Sequence, residues 1–244
     1  MVPAAVCCLL AGCGAKPNDQ SLTASSRLHV AEAAEESGDK QTAGSMYLAA
    51  AEQSQGDSGL QIQCAEGLVR TGRLDDAEAV LTRRLGAAPH DTEVLRTLGA
   101  VEVMSGKQAA AMQSLSAVLM SKPDDLKAMV DKGVALDMLH RHAEAQGLYR
   151  HVLTLAPQDA AVSNDLALSL LLSGQAAAGA RVLAPFRENA GLPERIRTNL
   201  GIMDAARGRG DDARMMLGSR IGASDLASLT QAIGRGAATT RGTP

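Results

Sequence analysis

Residues 89–125 read PHDTEVLRTLGAVEVMSGKQAAAMQSLSAVLMSKPDD, and the two prolines of this stretch stand 34 residues apart. Pro157 follows Pro123 after a further 34 residues. When the residue 31 before each proline is numbered position 1, the frame extends both ways without a gap over six repeats: 24–57, 58–91, 92–125, 126–159, 160–193 and 194–227. A constant period over this length predicts a stack of structural repeats, each packed on its neighbours.

Two positions of the repeat hold only small residues, which predicts that two helices approach closely there. Position 8 is Ala31, Ala65, Gly99, Gly133, Ala167 and Gly201, and position 20 is Ala43, Ala77, Ala111, Ala145, Gly179 and Ala213. Position 24 is bulky in every repeat: Tyr47, Leu81, Leu115, Tyr149, Leu183 and Leu217. We expect this bulky row to fill the space that the small residues leave, because protein interiors are close-packed.

The ends of the helices follow from the residues between these positions. Position 15 is glycine in five repeats and His140 in the fourth, which predicts a short turn that needs positive φ. The prolines are expected just past the end of the second helix of a repeat, because proline cannot continue a helix. Asp91, Asp124 and Asp159 follow them and are predicted to be the N-caps of the next repeats. No segment has the alternation of a β-strand.

A helix–turn–helix unit of 34 residues has the length of one tetratricopeptide repeat. The sequence therefore predicts an all-α fold, a tetratricopeptide-repeat right-handed superhelical solenoid of about six repeats with a C-terminal capping helix. The capping helix is expected after about residue 224. The end of the chain, from Gly234 to Pro244, has no apolar periodicity and is expected to be disordered.

The N-terminus, MVPAAVCCLLAGCGAKPND over residues 1–19, resembles a bacterial lipoprotein signal. Its apolar run is too short to span a membrane and ends in Leu10-Ala11-Gly12-Cys13. That ending resembles the lipobox, in which the cysteine is lipidated. No Lys or Arg precedes the run, which predicts a true start upstream of Met1. The alternative is a plain apolar N-terminus with incidental cysteines.

This resemblance completes the predicted domain organisation. Residues 1–13 are the lipoprotein signal peptide ending at Cys13, residues 14–23 a flexible tether, residues 24–227 the six repeats, and residues 228–244 the end of the cap and the tail. Cys13 is followed by Gly14 and not by the aspartate that marks inner-membrane retention in many lipoproteins. The expected location is therefore the periplasmic face of the outer membrane, with a lipid anchor; the alternative is cytoplasmic.

The remaining cysteines carry no disulfide prediction. Cys7 and Cys8 lie within the signal, and Cys64 falls on a core position of the second repeat. Cys64 is therefore predicted to be a small buried apolar residue, and no disulfide framework is expected.

Composition and motifs argue against catalysis and against nucleic-acid binding. The net charge is −3, and one Phe, two Tyr and no Trp leave no aromatic platform for bases. His140, His142 and His151 lack cysteine or carboxylate partners at metal-site spacing, so no metal is expected. The sequence contains no nucleophile elbow, P-loop or H-E-x-x-H motif. We predict that the protein is not an enzyme and takes no cofactor and no small-molecule substrate.

The concave surface of such a solenoid is the expected binding site for a protein partner. It is lined mainly by the first helix of each repeat, at positions 2, 5, 9, 12 and 13. An apolar track crosses the later repeats there, and it predicts docking of an amphipathic helix or an extended peptide. The track comprises Val134, Met138, Leu168, Leu172 and Ile202. Asn164 and Asn199 are best placed to bond the partner's backbone. The alternative is that some of these residues only pack beneath the superhelix.

Two segments in the late repeats carry a more specific resemblance. They are LAPQDAAVSNDLALSLLLSG, from Leu155 to Gly174, and RIRTNL, from Arg195 to Leu200. With the lipobox upstream they resemble TadD, the tetratricopeptide lipoprotein family of bacterial tight-adherence (Flp) pilus assembly. Its members carry an N-D/N-L-A-L-S motif in one late repeat and R-x-R-x-N-L-A/G in the next.

The resemblance implies a pilotin-like role, in which an outer-membrane lipoprotein helps the pilus secretin to reach or assemble in that membrane. The implied partner is the secretin or another pilus-assembly component. Two alternatives stay open at this point: a soluble cytoplasmic scaffold of an unrelated complex, and a lipoprotein that serves other cell-envelope machinery.

Overall fold

A computed structural model describes residues 22–189, 191–218 and 228. Within them the chain forms twelve α-helices and one 3-10 turn, and no β-strand. The helices are α1 (Ala24–Glu36), α2 (Lys40–Gln53), α3 (Ser58–Arg70), α4 (Leu74–Ala87), α5 (Thr92–Met104), α6 (Gln108–Ser121), α7 (Leu126–Met138), α8 (His142–Leu155), α9 (Ala160–Leu172), α10 (Ala176–Leu183), α11 (Glu194–Ala206) and α12 (Gly210–Leu217). The predicted signal peptide with Cys13, most of the tether, and nearly all of the predicted cap and tail lie outside the described residues.

The period of the sequence is the period of the structure. The first helices, α1, α3, α5, α7, α9 and α11, begin at position 1 of every repeat and have 13 residues each. They pack against each other along the whole array. The second helices lie outside them, so the first helices form the inner face of the solenoid.

Aspartates cap four of the first helices, with one correction to the prediction. The N-cap of α7 is Asp125, whose carboxylate accepts from the backbone N–H of Ala128 at 2.9 Å, and not Asp124. Asp91 and Asp159 cap α5 and α9 as expected, and Asp57 caps α3. All four capping aspartates stand at position 34. Their oxygens satisfy backbone N–H groups that have no partner within the helix.

The predicted packing of small against bulky residues is confirmed. A Cβ atom added to Gly99 would lie 2.6 Å from Leu115, and one added to Gly133 would lie 2.5 Å from the ring of Tyr149. In these two repeats the glycine therefore lets the first and second helices approach more closely than a Cβ atom at that position would allow. Cys64 is fully buried in the core of the first repeats, as predicted.

The second helix of the fifth repeat is cut short. Helix α10 has 8 residues, where α4, α6 and α8 have 14. Pro185 follows in a 3-10 turn over Ala184–Phe186, since proline lacks the N–H that a longer helix requires. Asp204 of α11 is fully buried and holds the segment after this turn, because its carboxylate pairs with Arg187 at 2.7 Å. The same carboxylate pairs with Arg209, just before α12, at 2.6 Å.

Side-chain hydrogen bonds join most neighbouring repeats. The Tyr47 hydroxyl donates to Glu35 at 2.6 Å, and Arg70 of the second repeat donates to the same carboxylate at 2.7 Å. In the fourth repeat the Tyr149 hydroxyl donates to Asp137 at 3.1 Å. Ser169 of the fifth repeat donates to that aspartate at 2.6 Å. Desolvation of the Tyr47 hydroxyl raises its pKa to about 12.

The junction between the third and fourth repeats is different. Apart from the Asp125 cap, no side-chain hydrogen bond or ion pair between described residues crosses it. The contact there is apolar: Leu115 and Val118 pack with Ala128 and Ala135.

Replacing His140 by glycine is expected to raise the free energy of unfolding by about 0.5–1 kcal/mol. Among the described residues His140 is the one non-glycine with positive φ, 58°, whereas the five glycines at position 15 have φ between 71° and 86°. Glycine removes the clash of the Cβ atom in this conformation. Urea unfolding followed by circular dichroism measures the change. His90→Gly, at an exposed site without positive φ, is the control, and an equal gain there would contradict the explanation.

Candidate functional site

The solvent-exposed stripe of the inner face consists of positions 2, 6, 9 and 13 of the first helices. These positions follow the i, i+4, i+7, i+11 spacing of one helix face. Position 12, which the sequence analysis assigned to the surface, is half-buried or buried in every repeat. Position 6, which it left out of that surface, is open to solvent in the first two repeats, buried in the third at Thr97, and half-buried in the last three.

The predicted apolar track lies on this stripe. Met138, Leu168 and Leu172 are exposed by 43%, 36% and 52% of their surfaces, and Val134 and Ile202 are half-buried. Met104, at position 13 of the third repeat, is 58% exposed and extends the row by one repeat. We call these six residues the apolar rows.

The two predicted asparagines lie next to each other. The Oδ1 atom of Asn164 accepts from Nδ2 of Asn199 at 2.7 Å, so α9 and α11 are joined at this point. Asn164 is only 1% exposed, whereas Asn199 is half-buried at position 6. The contact of either residue with a partner stays a prediction, but only Asn199 lies on the exposed stripe.

Two carboxylates that sequence reasoning missed stand beside the apolar rows. Asp131 and Asp165 occupy position 6 of the fourth and fifth repeats, and both are half-buried. Desolvation raises the pKa of Asp131 to about 6 and raises that of Asp165 above its ordinary value. The 34-residue spacing was the signal that could have revealed them.

An open cavity lies at Asp131. It has a volume of about 300 Å³, and its apolar wall is formed by Leu126, Val130, Val152 and Val162 of α7, α8 and α9. Lys127 stands at its edge, but it makes no ion pair with Asp131 in the described part of the chain. Asp159 also lines the cavity, so two acidic residues, Asp131 and Asp159, stand at a wall that is otherwise largely apolar.

The first two repeats present a different surface. Their positions 9 and 13 hold Glu32, Glu36, Glu66 and Arg70, all exposed. The inner face is therefore polar at its N-terminal end and apolar over the third to sixth repeats. A partner segment with apolar side chains can bury them only in the second of these regions.

Two further observations concern the described residues alone. No three His, Cys, Asp or Glu side chains among them come together in a way that could hold a metal ion. None of their helices has the combined length and apolar character needed to cross a membrane.

Known structures with the same arrangement of helices identify the fold. A tetratricopeptide repeat protein from Parabacteroides merdae superposes with a TM-score of 0.71, at 13% identity over 90% of this chain and 87% of its own. PilW, a widely conserved type IV pilus biogenesis factor, gives 0.68, at 15% identity over 86% of this chain and 97% of its own. The fold is a tetratricopeptide-repeat solenoid. A repeat protein of Thermus thermophilus gives 0.59, at 18% identity over 76% of this chain and 99% of its own.

Sequence comparison matches a smaller part of this chain than structural comparison does. No protein-family model matches the chain. The uncharacterized protein y4yS of Sinorhizobium fredii is 34% identical over 101 residues, which are 41% of this chain and 56% of that protein. The chain thus spans about half the length of the curated relative it matches.

Asp131→Asn is expected to stabilise the solenoid at neutral pH. Burial raises the pKa of Asp131 from 3.8 to about 6, so the folded chain holds this proton more tightly than the unfolded chain. The stability from this group is complete below about pH 4 and is lost as the pH rises through about 6. The pKa difference corresponds to about 3 kcal/mol, which solvent screening at a half-buried site reduces to about 1–2 kcal/mol.

Urea unfolding of the wild type and of Asp131→Asn between pH 4 and pH 8 measures this effect. The variant is expected to gain stability at pH 7 and to show a flatter pH profile. Asp124→Asn, an exposed aspartate of the preceding loop, loses the same charge and serves as the control. Equal profiles for Asp131→Asn and wild type would show that burial of the Asp131 charge has no energetic cost.

Proposed function

We propose that this protein is a non-catalytic protein-binding scaffold, an outer-membrane lipoprotein that assists assembly of the secretin of a tight-adherence (Flp) pilus. The observation that carries the binding role is the exposure of the apolar rows along the inner face. Exposed apolar side chains that follow one stripe through several repeats are the usual mark of a docking surface.

The lipobox supports the proposed location. The Leu10-Ala11-Gly12-Cys13 ending makes Cys13 the attachment site of the lipid, and residues 14–23 the link between membrane and repeats. A single acyl chain binds a bilayer only weakly, whereas several chains give stable anchoring. The anchor then supplies the location, and the inner face captures a segment of the partner.

Two features support the pilus role. The segments that resemble TadD include α9 and the first half of α11, where Asn164 and Asn199 bond to each other at 2.7 Å, so the two segments are in contact. In addition, PilW, a pilus biogenesis factor, shares the fold. Because its identity to this chain is 15%, the fold is common to both and the pilus role of this chain is our proposal.

Metabolic labelling with radioactive palmitate tests the anchor. The wild-type protein is expected to carry the label in the outer-membrane fraction, and Cys13→Ala is expected to lose it. Cys64→Ala, which alters a buried cysteine of the repeats, should keep it. A wild-type protein without label is the result expected of a cytoplasmic scaffold and would overturn the lipoprotein proposal.

Deletion of the gene tests the pilus role separately. Secretin abundance in the outer membrane is expected to fall at least several-fold and to return when the wild-type gene is restored. Unchanged secretin with a labelled, membrane-anchored protein would overturn the pilotin-like role. That outcome would favour a lipoprotein of other cell-envelope machinery.

A further inference from the structure

The unpaired carboxylates of the fourth and fifth repeats are the starting point. Within the described residues neither Asp131 nor Asp165 forms an ion pair, and Asp165 accepts only a long hydrogen bond of 3.4 Å from Asn164. Some other carboxylates of the inner helices do have cationic or hydroxyl partners within the chain, as Glu35 has Arg70 and Asp137 has Ser169. Two carboxylates at equivalent positions of adjacent repeats are thus left for an external partner.

The surroundings of Asp131 define the shape of that partner. The carboxylate stands at a cavity of about 300 Å³ whose wall includes Leu126, Val130, Val152 and Val162. A long side chain with an apolar stem and a cationic head fits both parts, because its methylene groups can lie on the apolar wall while the head meets the carboxylate. Arginine is favoured over lysine, since its planar guanidinium offers five donors and is more weakly hydrated.

Two cationic groups of the chain, Arg96 and Lys127, act on Asp131 through space and oppose the rise of its pKa, but neither forms an ion pair with it among the described residues. Arg96 is held by Glu93 at 2.8 Å and lies 4.0 Å from Asp125. Lys127 is exposed at the cavity edge and is not paired with Asp131. The position next to the Asp131 carboxylate is therefore open to a donor from outside.

The apolar rows fix what must flank the arginine. Positions 9 and 13 of the fourth and fifth repeats are Val134, Met138, Leu168 and Leu172, and they follow Asp131 and Asp165 along the same helix faces. A segment that places a guanidinium at Asp131 therefore lays its neighbouring side chains over apolar residues. The complementary sequence is basic and apolar, and an acidic segment is disfavoured.

We propose that the fourth and fifth repeats bind a peptide segment in which an arginine, seated in the cavity at Asp131, is flanked by bulky apolar residues on the apolar rows. The inference rests on the proposed protein-binding role of the inner face and names the chemistry of its partner. Since Asp131 is costly to bury in charged form, an arriving guanidinium also relieves an existing penalty.

A displayed library of random twelve-residue peptides, selected on the purified full chain in mild detergent, provides the probe. The selected peptides are expected to be enriched in arginine next to Leu, Ile, Met or Phe. One synthetic peptide from this set is then titrated against variants by fluorescence anisotropy. Asp131→Asn is expected to weaken binding about tenfold or more, because it removes the partner of a desolvated charge. Leu168→Ser is expected to weaken binding by removing apolar contact.

Matched variants separate this effect from loss of structure. Glu66→Gln removes an exposed charge of the second repeat and should leave the affinity unchanged, whereas Lys127→Ala should preserve or increase it. Asp131→Asn is itself expected to be more stable than the wild type, so weakened binding cannot come from unfolding. Selection without enrichment of arginine, selection of no binding peptide, or equal affinity for Asp131→Asn would each overturn the proposal.

The peptide-binding experiment tests this inference separately from the labelling and deletion experiments. A protein that binds arginine-containing peptides but carries no palmitate retains this inference and loses the lipoprotein assignment. A labelled protein that supports the secretin but binds peptides regardless of Asp131 retains the proposed function and loses the inference.

Discussion

Gly133→Ala is expected to lower the free energy of unfolding by about 2–3 kcal/mol, although alanine is the better helix former. The new Cβ atom would lie 2.5 Å from Cε1 and 2.7 Å from Cζ of Tyr149. The tyrosine is 1% exposed and its hydroxyl is held by Asp137 at 3.1 Å, so its ring has no space to move aside. The two helices of the fourth repeat must separate, and the core loses packing on both sides.

Gly147→Ala in α8 is the matched control. Apart from its chain neighbours and the backbone of its own helix, no atom lies within 4 Å of the position that its Cβ would occupy. The same chemical change is therefore expected to raise the free energy of unfolding by about 0.5–1 kcal/mol, because alanine loses less conformational freedom than glycine in a helix. Urea unfolding of both variants measures the two effects. Changes of the same sign would show that glycine at position 8 of the fourth repeat is not required for the approach of α7 and α8.

Asp204→Ala is expected to destabilise the C-terminal end of the solenoid by about 3 kcal/mol. The carboxylate is fully buried and bonds Arg187 at 2.7 Å and Arg209 at 2.6 Å. Its removal takes away the carboxylate that holds Arg187, leaves Arg209 with the exposed Asp212 alone, and frees the segment after the shortened helix α10. Since each repeat depends only on its neighbours, amide hydrogen exchange should accelerate in α11 and α12 and stay unchanged in α1 to α4.

Asp212→Ala provides the comparison for this prediction. Asp212 pairs with the same Arg209 at 3.2 Å but is 41% exposed, and exposed pairs contribute less than about 1 kcal/mol. Its variant is therefore expected to unfold within about 0.5 kcal/mol of the wild type. Similar losses in the two variants would assign the effect to Arg209 alone and not to burial of the Asp204 carboxylate.

The sequence was sufficient to predict the fold because its 34-residue period is also the period of the helix pairs. All six first helices begin at position 1, and the glycines at position 8 meet the bulky residues at position 24. The one misassigned cap illustrates the same rule. Two aspartates follow Pro123, and the period selects Asp125, at position 34, in agreement with Asp57, Asp91 and Asp159.

The binding surface was only partly predictable. The repeat frame correctly predicts the apolar residues at positions 9 and 13. It assigns position 5 to the inner surface in place of position 6, however, and therefore misses Asp131 and Asp165. Strict use of helical spacing through positions 2, 6, 9 and 13 would have found them. The burial of Asn164 could not be read in this way, because it depends on the close approach of α11 and on the hydrogen bond with Asn199.

The shortened helix α10 was partly signalled by Pro185. The ion pairs that compensate for the shortening were not, because Arg187 and Asp204 are separated by a loop and most of helix α11, and no local pattern specifies the course of that loop. Contacts of this kind arise from tertiary packing and become visible only when neighbouring repeats are placed side by side.

The apolar junction between the third and fourth repeats has a consequence for the response of the array to salt. Added salt screens exposed ion pairs such as that of Lys107 with Glu78, which joins the second and third repeats. Apolar contacts such as those of Leu115 and Val118 with Ala128 and Ala135 are not screened in this way. The third and fourth repeats are therefore expected to stay packed at high ionic strength as well as at low.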